Sequence, residues 1–228
     1  MQEQRWTEQD YLRLAFLALA ARQQNDAASA RNLWQAAVGQ AAERVESLYA
    51  LVETAQRWRW EPETQVLLWT ALSKFPRAAW VRTALEQWCA ANGDTEGLYR
   101  LYSVLWQRNP ADAVIKNNLA AVALLLQTNL TQAYQLAREV YDADHRNAVF
   151  VGTYTYALQL QGRTPDALQL WNQLPSSELE RPSVAMYYGV ALVAAGQPEK
   201  AKRYLALAER SSLLPEERTL LLRAEKRF

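Results

Sequence analysis

Apolar residues recur at three- and four-residue intervals along nearly the whole chain, in stretches separated by short polar turns. That spacing is the stripe an amphipathic helix turns toward a neighbour, and strand-type alternation is sustained nowhere. It predicts helix pairs over 6–39, 42–75, 77–107, 111–143, 146–175 and 182–211. A last helix follows in SSLLPEERTLLLRAEKRF, with serines for a cap, Pro215 and two glutamates in its first turn, and basic residues at its end. That charge order suits a helix dipole, and the extra charge fits a terminal cap sealing the last pair against solvent.

The turns repeat. In QGRTPDALQL, residues 161–170, Gly162 ends one helix, Thr164 caps the next, and Pro165 and Asp166 occupy its first turn. A similar turn appears 34 residues later in AGQPEKAKRY, with Gly196 and Ala201 in corresponding places. Pro76 and Pro110 are also 34 apart, as are Thr128, Gly162 and Gly196, and Ala133, Ala167 and Ala201. A fixed period of this length marks stacked helix pairs, none able to bury its apolar face alone.

Two blocks carry a gap-free pattern: Val151, Tyr154, Thr155, Leu158, Ala167 and Trp171, then Ala185, Tyr188, Gly189, Leu192, Ala201 and Leu205. The block before them has Asn118, Leu119, Ala120 and Ala133, with one residue more between its helices. These residues resemble the tetratricopeptide repeat (TPR) family. The likeness is good over 77–212, though Gly97 stands where Ala is expected, and over 1–76 only pair length and periodicity persist. The resemblance implies an all-α fold, a right-handed superhelix of about six antiparallel pairs with a C-terminal capping helix at 213–228. With no Pro-, Gly- or Ser-rich linker, residues 1–228 read as one domain. Close contact within a pair needs small residues, so Gly189 is expected to face Ala201, and Thr155 to face Ala167.

Composition changes little in this picture. Seven Gly and eight Pro in 228 residues suit helix throughout. A net charge of +1 from 25 basic and 24 acidic side chains gathers no phosphates, which argues against nucleic acid. One cysteine, Cys89, permits no internal disulfide and reads as packing. The apolar run LAAVALLL at 119–126 is far below the ~20 residues of a membrane span. Glu3, Glu8, Asp10 and Arg13 make the beginning an amphipathic helix rather than an export signal, so the expected compartment is the cytoplasm and no membrane insertion is expected.

Reactive groups are sparse. His145 is the single histidine and reads as a turn residue; with Cys89 alone beside it, no zinc spacing, nucleophile elbow or phosphate loop forms. The chain is therefore expected to be neither an enzyme nor a cofactor protein. RWRWEPE at 57–63 could stack bases through Trp58 and Trp60, but those residues read better as pinning a helix corner. Eight of the nine Trp precede residue 107, which fits an aromatic core or an aromatic contact surface.

What the TPR resemblance implies is a non-catalytic scaffold whose first helices line a concave groove for a peptide or helix. Carried over, the groove positions are Asn117, Ala121 and Leu124; Val149, Gly152, Tyr156 and Gln159; and Ser183, Met186, Val190 and Val193. These same residues could instead pack against a neighbouring repeat or the last helix. A clamp for chaperone tails needs basic residues where this chain has Tyr156, Met186 and Val190, so an apolar or helical partner, or a second copy of the chain, is expected. The alternatives are a single-stranded RNA binder using Arg57 and its neighbours, and an accessory domain of a larger enzyme or membrane protein.

Overall fold

The computed structural model describes residues 10–227. The readings placed on Glu3, Glu8 and the start of the first pair at 6 lie outside the described residues. Among these, fourteen helices are the only regular elements. The pairs are α1 (Asp10–Gln23) with α2 (Ala27–Ala41), α3 (Val45–Arg57) with α4 (Glu61–Lys74), and α5 (Ala79–Ala91) with α6 (Thr95–Arg108). Next come α7 (Ala113–Leu125) with α8 (Leu130–Ala143), and α9 (Ala148–Leu160) with α10 (Thr164–Trp171). A short α11 (Ser176–Leu179), not foreseen, precedes α12 (Pro182–Ala194) with α13 (Pro198–Ala208); α14 (Pro215–Glu225) ends the chain.

The period is written in the backbone. Each turn inside a pair carries a left-handed residue: Asn25, Arg59, Gly93, Gln127, Gly162 and Gly196. Immediately after each, the next N–H reaches back across the turn: Asp26 to Ala21, Trp60 to Ala55, Asp94 to Cys89, Thr128 to Ala123, Arg163 to Leu158 and Gln197 to Leu192, all at 2.8–3.0 Å. This bond satisfies carbonyls that a helix end would otherwise orphan. The first two pairs, where the sequence match is weakest, therefore turn by the same device as the last two. Asn129, also left-handed at φ 46°, follows Gln127 and takes up the extra residue of its block.

Helix starts are fixed by short polar side chains. Asp26, Asp94, Asp112 and Asn147 accept from backbone N–H groups of Ser29, Gly97, Val114 and Val149 at 2.8–3.1 Å. Two expected caps differ. Thr164 is the first residue inside α10, with Arg163 at the cap and paired to Asp166. At α14 the cap is Leu214, not a serine, and the Glu217 carboxylate accepts its N–H at 2.9 Å.

By packing density the chain divides into two compact units, one ending at Trp88 and the other beginning at Cys89. In the first, α1 packs on α2 and α3 on α4 around Ala15, Ala37, Leu48, Leu51, Leu67 and Leu68, all fully buried. In the second, α7 packs on α8, α9 on α10 and α12 on α13, and the first helices α7, α9 and α12 also touch in succession. Trp171 is wholly enclosed among Ala148, Val151, Leu174 and Val184. Gly189 has Leu205 pressed on it: a Cβ there would lie 2.6 Å from Leu205 Cδ2, so the neighbour is one helical turn beyond the expected Ala201. Gly97 replaces Ala for a local reason, since a Cβ would strike the Asp94 carboxylate that caps α6 and come within 2.8 Å of Cys89 Sγ.

Candidate functional site

The face carried by α7, α9 and α12 is where the groove residues were placed, and its exposure is uneven. Val149 is 39% exposed, whereas Asn117, Leu124, Tyr156, Met186 and Val193 are all buried. Ala121, Gln159 and Val190 are half-buried; Gly152 is buried and Ser183 exposed. Asn117 donates to Asn118 at 3.3 Å, while its own amide oxygen meets no donor among the described residues.

Over α12 the cover is α14. Leu221 and Ala224 of α14 belong to the same apolar cluster as Met186, Val193 and Leu205, with Tyr187 and Val190 packed against it. The Tyr187 hydroxyl donates to Glu217 Oε1 at 2.8 Å, and the other oxygen of that carboxylate holds the start of α14. Burial pushes the Glu217 carboxyl above its usual range, against the lowering effect of its two hydrogen bonds. Tyr187 is pushed up strongly by burial and by the carboxylate it faces. Tyr156 on α9, its ring 5.5 Å from that of Tyr187, is raised to about 12, first by burial, with Arg223 and Glu217 of α14 as the nearest charges.

The beginning of α14 reaches much further back along the chain. Glu216 accepts from the Thr95 hydroxyl at the start of α6, and Pro215 lies against Gly93, where a Cβ would stand 3.0 Å from Pro215 Cγ. Helix α14 thus packs on both helices of the last pair, as a capping helix is expected to, and also reaches back to the turn of the third pair. Of its eleven residues only Leu221 and Ala224 are buried, an apolar contribution of about 2–4 kcal/mol. In α9 nine residues are buried.

A crystal structure of a tetratricopeptide repeat protein from Parabacteroides merdae ATCC 43184 superposes with a TM-score of 0.59 at 16% identity, covering 96% of this chain and 86% of that one. The fold is that of a tetratricopeptide repeat protein. PilW, a widely conserved type IV pilus biogenesis factor, aligns with a TM-score of 0.48 at 16% identity, over 93% of this chain and 99% of that one. No protein-family model matches the sequence, and no curated protein matches it either.

The remaining chemistry-bearing residues take structural places in this TPR-like frame. Cys89 is fully buried and its thiol is raised to about 11 by burial and then by Asp94. His145 is exposed, with Nδ1 2.7 Å from the Tyr141 carbonyl and its ring 4.8 Å from the Tyr141 ring. Among the described residues no three His, Cys, Asp or Glu side chains converge as a metal site would require, and no helix is long and apolar enough to cross a membrane.

In the first unit, Trp58 and Trp60 form a corner with Trp34 and Phe16, ring centres 5.1–6.5 Å apart. Their faces are spent on one another, which leaves exposed Arg57 and Arg59 without the open stacking platform that a base needs. A cavity of about 500 Å³ beside them is lined by Trp34, Trp60, Arg22, Glu63 and Val66. Arg22 lies over the Trp60 ring at 4.5 Å and pairs with Glu63 at 2.9 Å.

Proposed function

We propose that the chain is a non-catalytic helical-repeat scaffold that holds a helix or peptide on the face of α7, α9 and α12. The residues that meet the partner are Ala121, Val149, Gln159 and Val190, with Asn117, Leu124, Tyr156, Met186 and Val193, buried in the intact chain, forming the layer beneath them. The single observation that carries this reading is that the face already seats a helix: α14 places Leu221 and Ala224 in the cluster of Met186 and bonds Glu217 to Tyr187. Surfaces that fit one amphipathic helix by alternating apolar and polar contacts fit others of the same pattern. The TPR-like fold supports the reading, because successive first helices of such a stack form a continuous surface.

The test is affinity capture with the full chain, repeated with Val149→Asp and Gln159→Lys, two positions exposed enough to change without disturbing the core. Loss of the same interactor from both variants, with helix content unchanged by circular dichroism, is the expected result. An interactor retained by both moves the binding surface elsewhere.

A further inference from the structure

We infer that α14 is an exchangeable occupant of its seat, and that the partner of this face is an amphipathic helix with the same recognition pattern: proline and two acids in its first turn, then apolar residues four and seven positions after the second acid. The inference rests on the scaffold reading above and names the chemistry of its ligand and how access to it is controlled.

The seat is complementary to α14 at every step. Gly93, left-handed at φ 63°, leaves room only because it has no Cβ, and Pro215 fills that room. Thr95 offers a hydroxyl to the first acid, Glu216, and Tyr187 offers one to the second, Glu217. Met186 and its neighbours then receive Leu221 and Ala224, which lie four and seven residues beyond Glu217 on the same helical face. The contacts join the third and the sixth helix pairs, so they form a recognition surface rather than the continuation of a stack.

Three features make the occupant exchangeable. α14 is joined to α13 through Glu209–Leu214, which carries no helix, so it can leave without unwinding a neighbour. Its apolar anchor is two residues, and Leu222 on its outer side is 51% exposed. Its second acid is held in a desolvated place by one tyrosine hydroxyl and its own helix start, an arrangement that fits a carboxyl group but, because burial disfavours its charge, adds little net stability. Elements held this way open locally before the rest of a domain unfolds.

The experiment uses the full chain and a fluorescent peptide of sequence SSLLPEERTLLLRAEKRF as the probe. In the intact chain α14 competes, so the probe binds weakly; Leu221→Asp in the chain releases α14 and raises probe affinity by about tenfold or more, because apparent affinity scales with the fraction of open seats. Replacing the peptide's second acid by alanine, or Tyr187→Phe in the Leu221→Asp chain, removes the gain. A Leu221→Asp chain that retains its helix content, shows its α14 amides exchanging freely, and still fails to bind the probe would overturn the exchange. A wild-type dimer in sedimentation that Leu221→Asp abolishes would assign the seat to a second copy and overturn the partner named here. If the captured interactor is lost on Val149→Asp yet indifferent to Leu221→Asp, the scaffold reading survives and the exchange does not; if the probe exchanges while the interactor ignores Val149→Asp, the reverse holds.

Discussion

Gly189→Ala isolates the contact on which the sixth helix pair depends. The added methyl would lie 2.6 Å from Leu205 Cδ2, 2.9 Å from Cγ and 3.3 Å from the Leu205 backbone nitrogen. Leu205 is 1% exposed among Met186, Leu192 and Ala201, so its side chain has no free space to enter. Alanine in mid-helix gains about 1 kcal/mol over glycine. Overpacking costs about 1–3 kcal/mol, and here the near backbone atom means that α13 itself must shift. With the overpacking at the upper end of that range, about 2–3 kcal/mol because a backbone atom must give way, the net expectation is a loss of about 1–2 kcal/mol. Gly152→Ala is the control: its methyl would meet only Trp171 Cη2 at 3.4 Å, an ordinary contact, so the helical gain of about 0.5–1 kcal/mol should remain. Urea denaturation followed by circular dichroism, with unchanged slope, measures both. A Gly189→Ala chain as stable as the wild type, or less damaged than Gly152→Ala, would refute the packing argument.

Other expectations follow from the turns and from α14. Gln127→Gly should stabilise by up to about 1 kcal/mol in the same urea assay, because it relieves a left-handed side-chain residue at φ 52°. Gly162→Ala, at φ 75°, should destabilise by about 1 kcal/mol. Tyr187→Phe leaves the half-buried Glu217 with one donor fewer, so protection of α14 amides against hydrogen exchange should fall by about 1 kcal/mol. The seat should also respond to pH. Glu217 is raised in the folded state by burial, so its contribution is fully present below the ordinary carboxylate range and is lost as pH rises through the raised value. Tyr187 from α12 and Tyr156 from α9 face it and are themselves raised, hence neutral in this window, while Glu216 and Arg223 are the charges of its own helix that act on this cluster, Arg218 and Glu225 being the others α14 carries. After correction for intrinsic rates, α14 amides should be better protected near about pH 4 than near about pH 8.

How much of this was legible depends on which atoms carry the signal. Gly162 and Gly196 announce their turns because glycine is the cheapest left-handed residue, and they led directly to the helix-pair fold. Asn25, Arg59 and Gln127 make the same turn with side chains that other contexts would hold in ordinary helix, so only pair length survived as a clue in the first two pairs. Gly97 departs from the expected Ala because the Asp94 cap and the Cys89 thiol lie against it, a contact no spacing rule contains. The small residue Gly189 was readable as a close approach, but its partner Leu205 was displaced one turn from the expected Ala201, as side-chain direction along a helix allows. The groove positions were readable as a face and the last helix as a cap on the sixth pair; its reach back to Gly93 and Thr95 was not, because no spacing within α14 announces it. Glu217 four before Leu221 and seven before Ala224 was the available sign: an acid inside an apolar stripe suits a seat with a hydroxyl in it.

The position of α14 is tested most directly by nuclear Overhauser contacts in the intact chain. Cross-peaks are expected from the Tyr187 ring to the Glu217 side chain and from the Thr95 methyl to Glu216, joining α14 to α12 and to the start of α6 at once. A helical α14 that shows neither contact, and touches only α13, would contradict it.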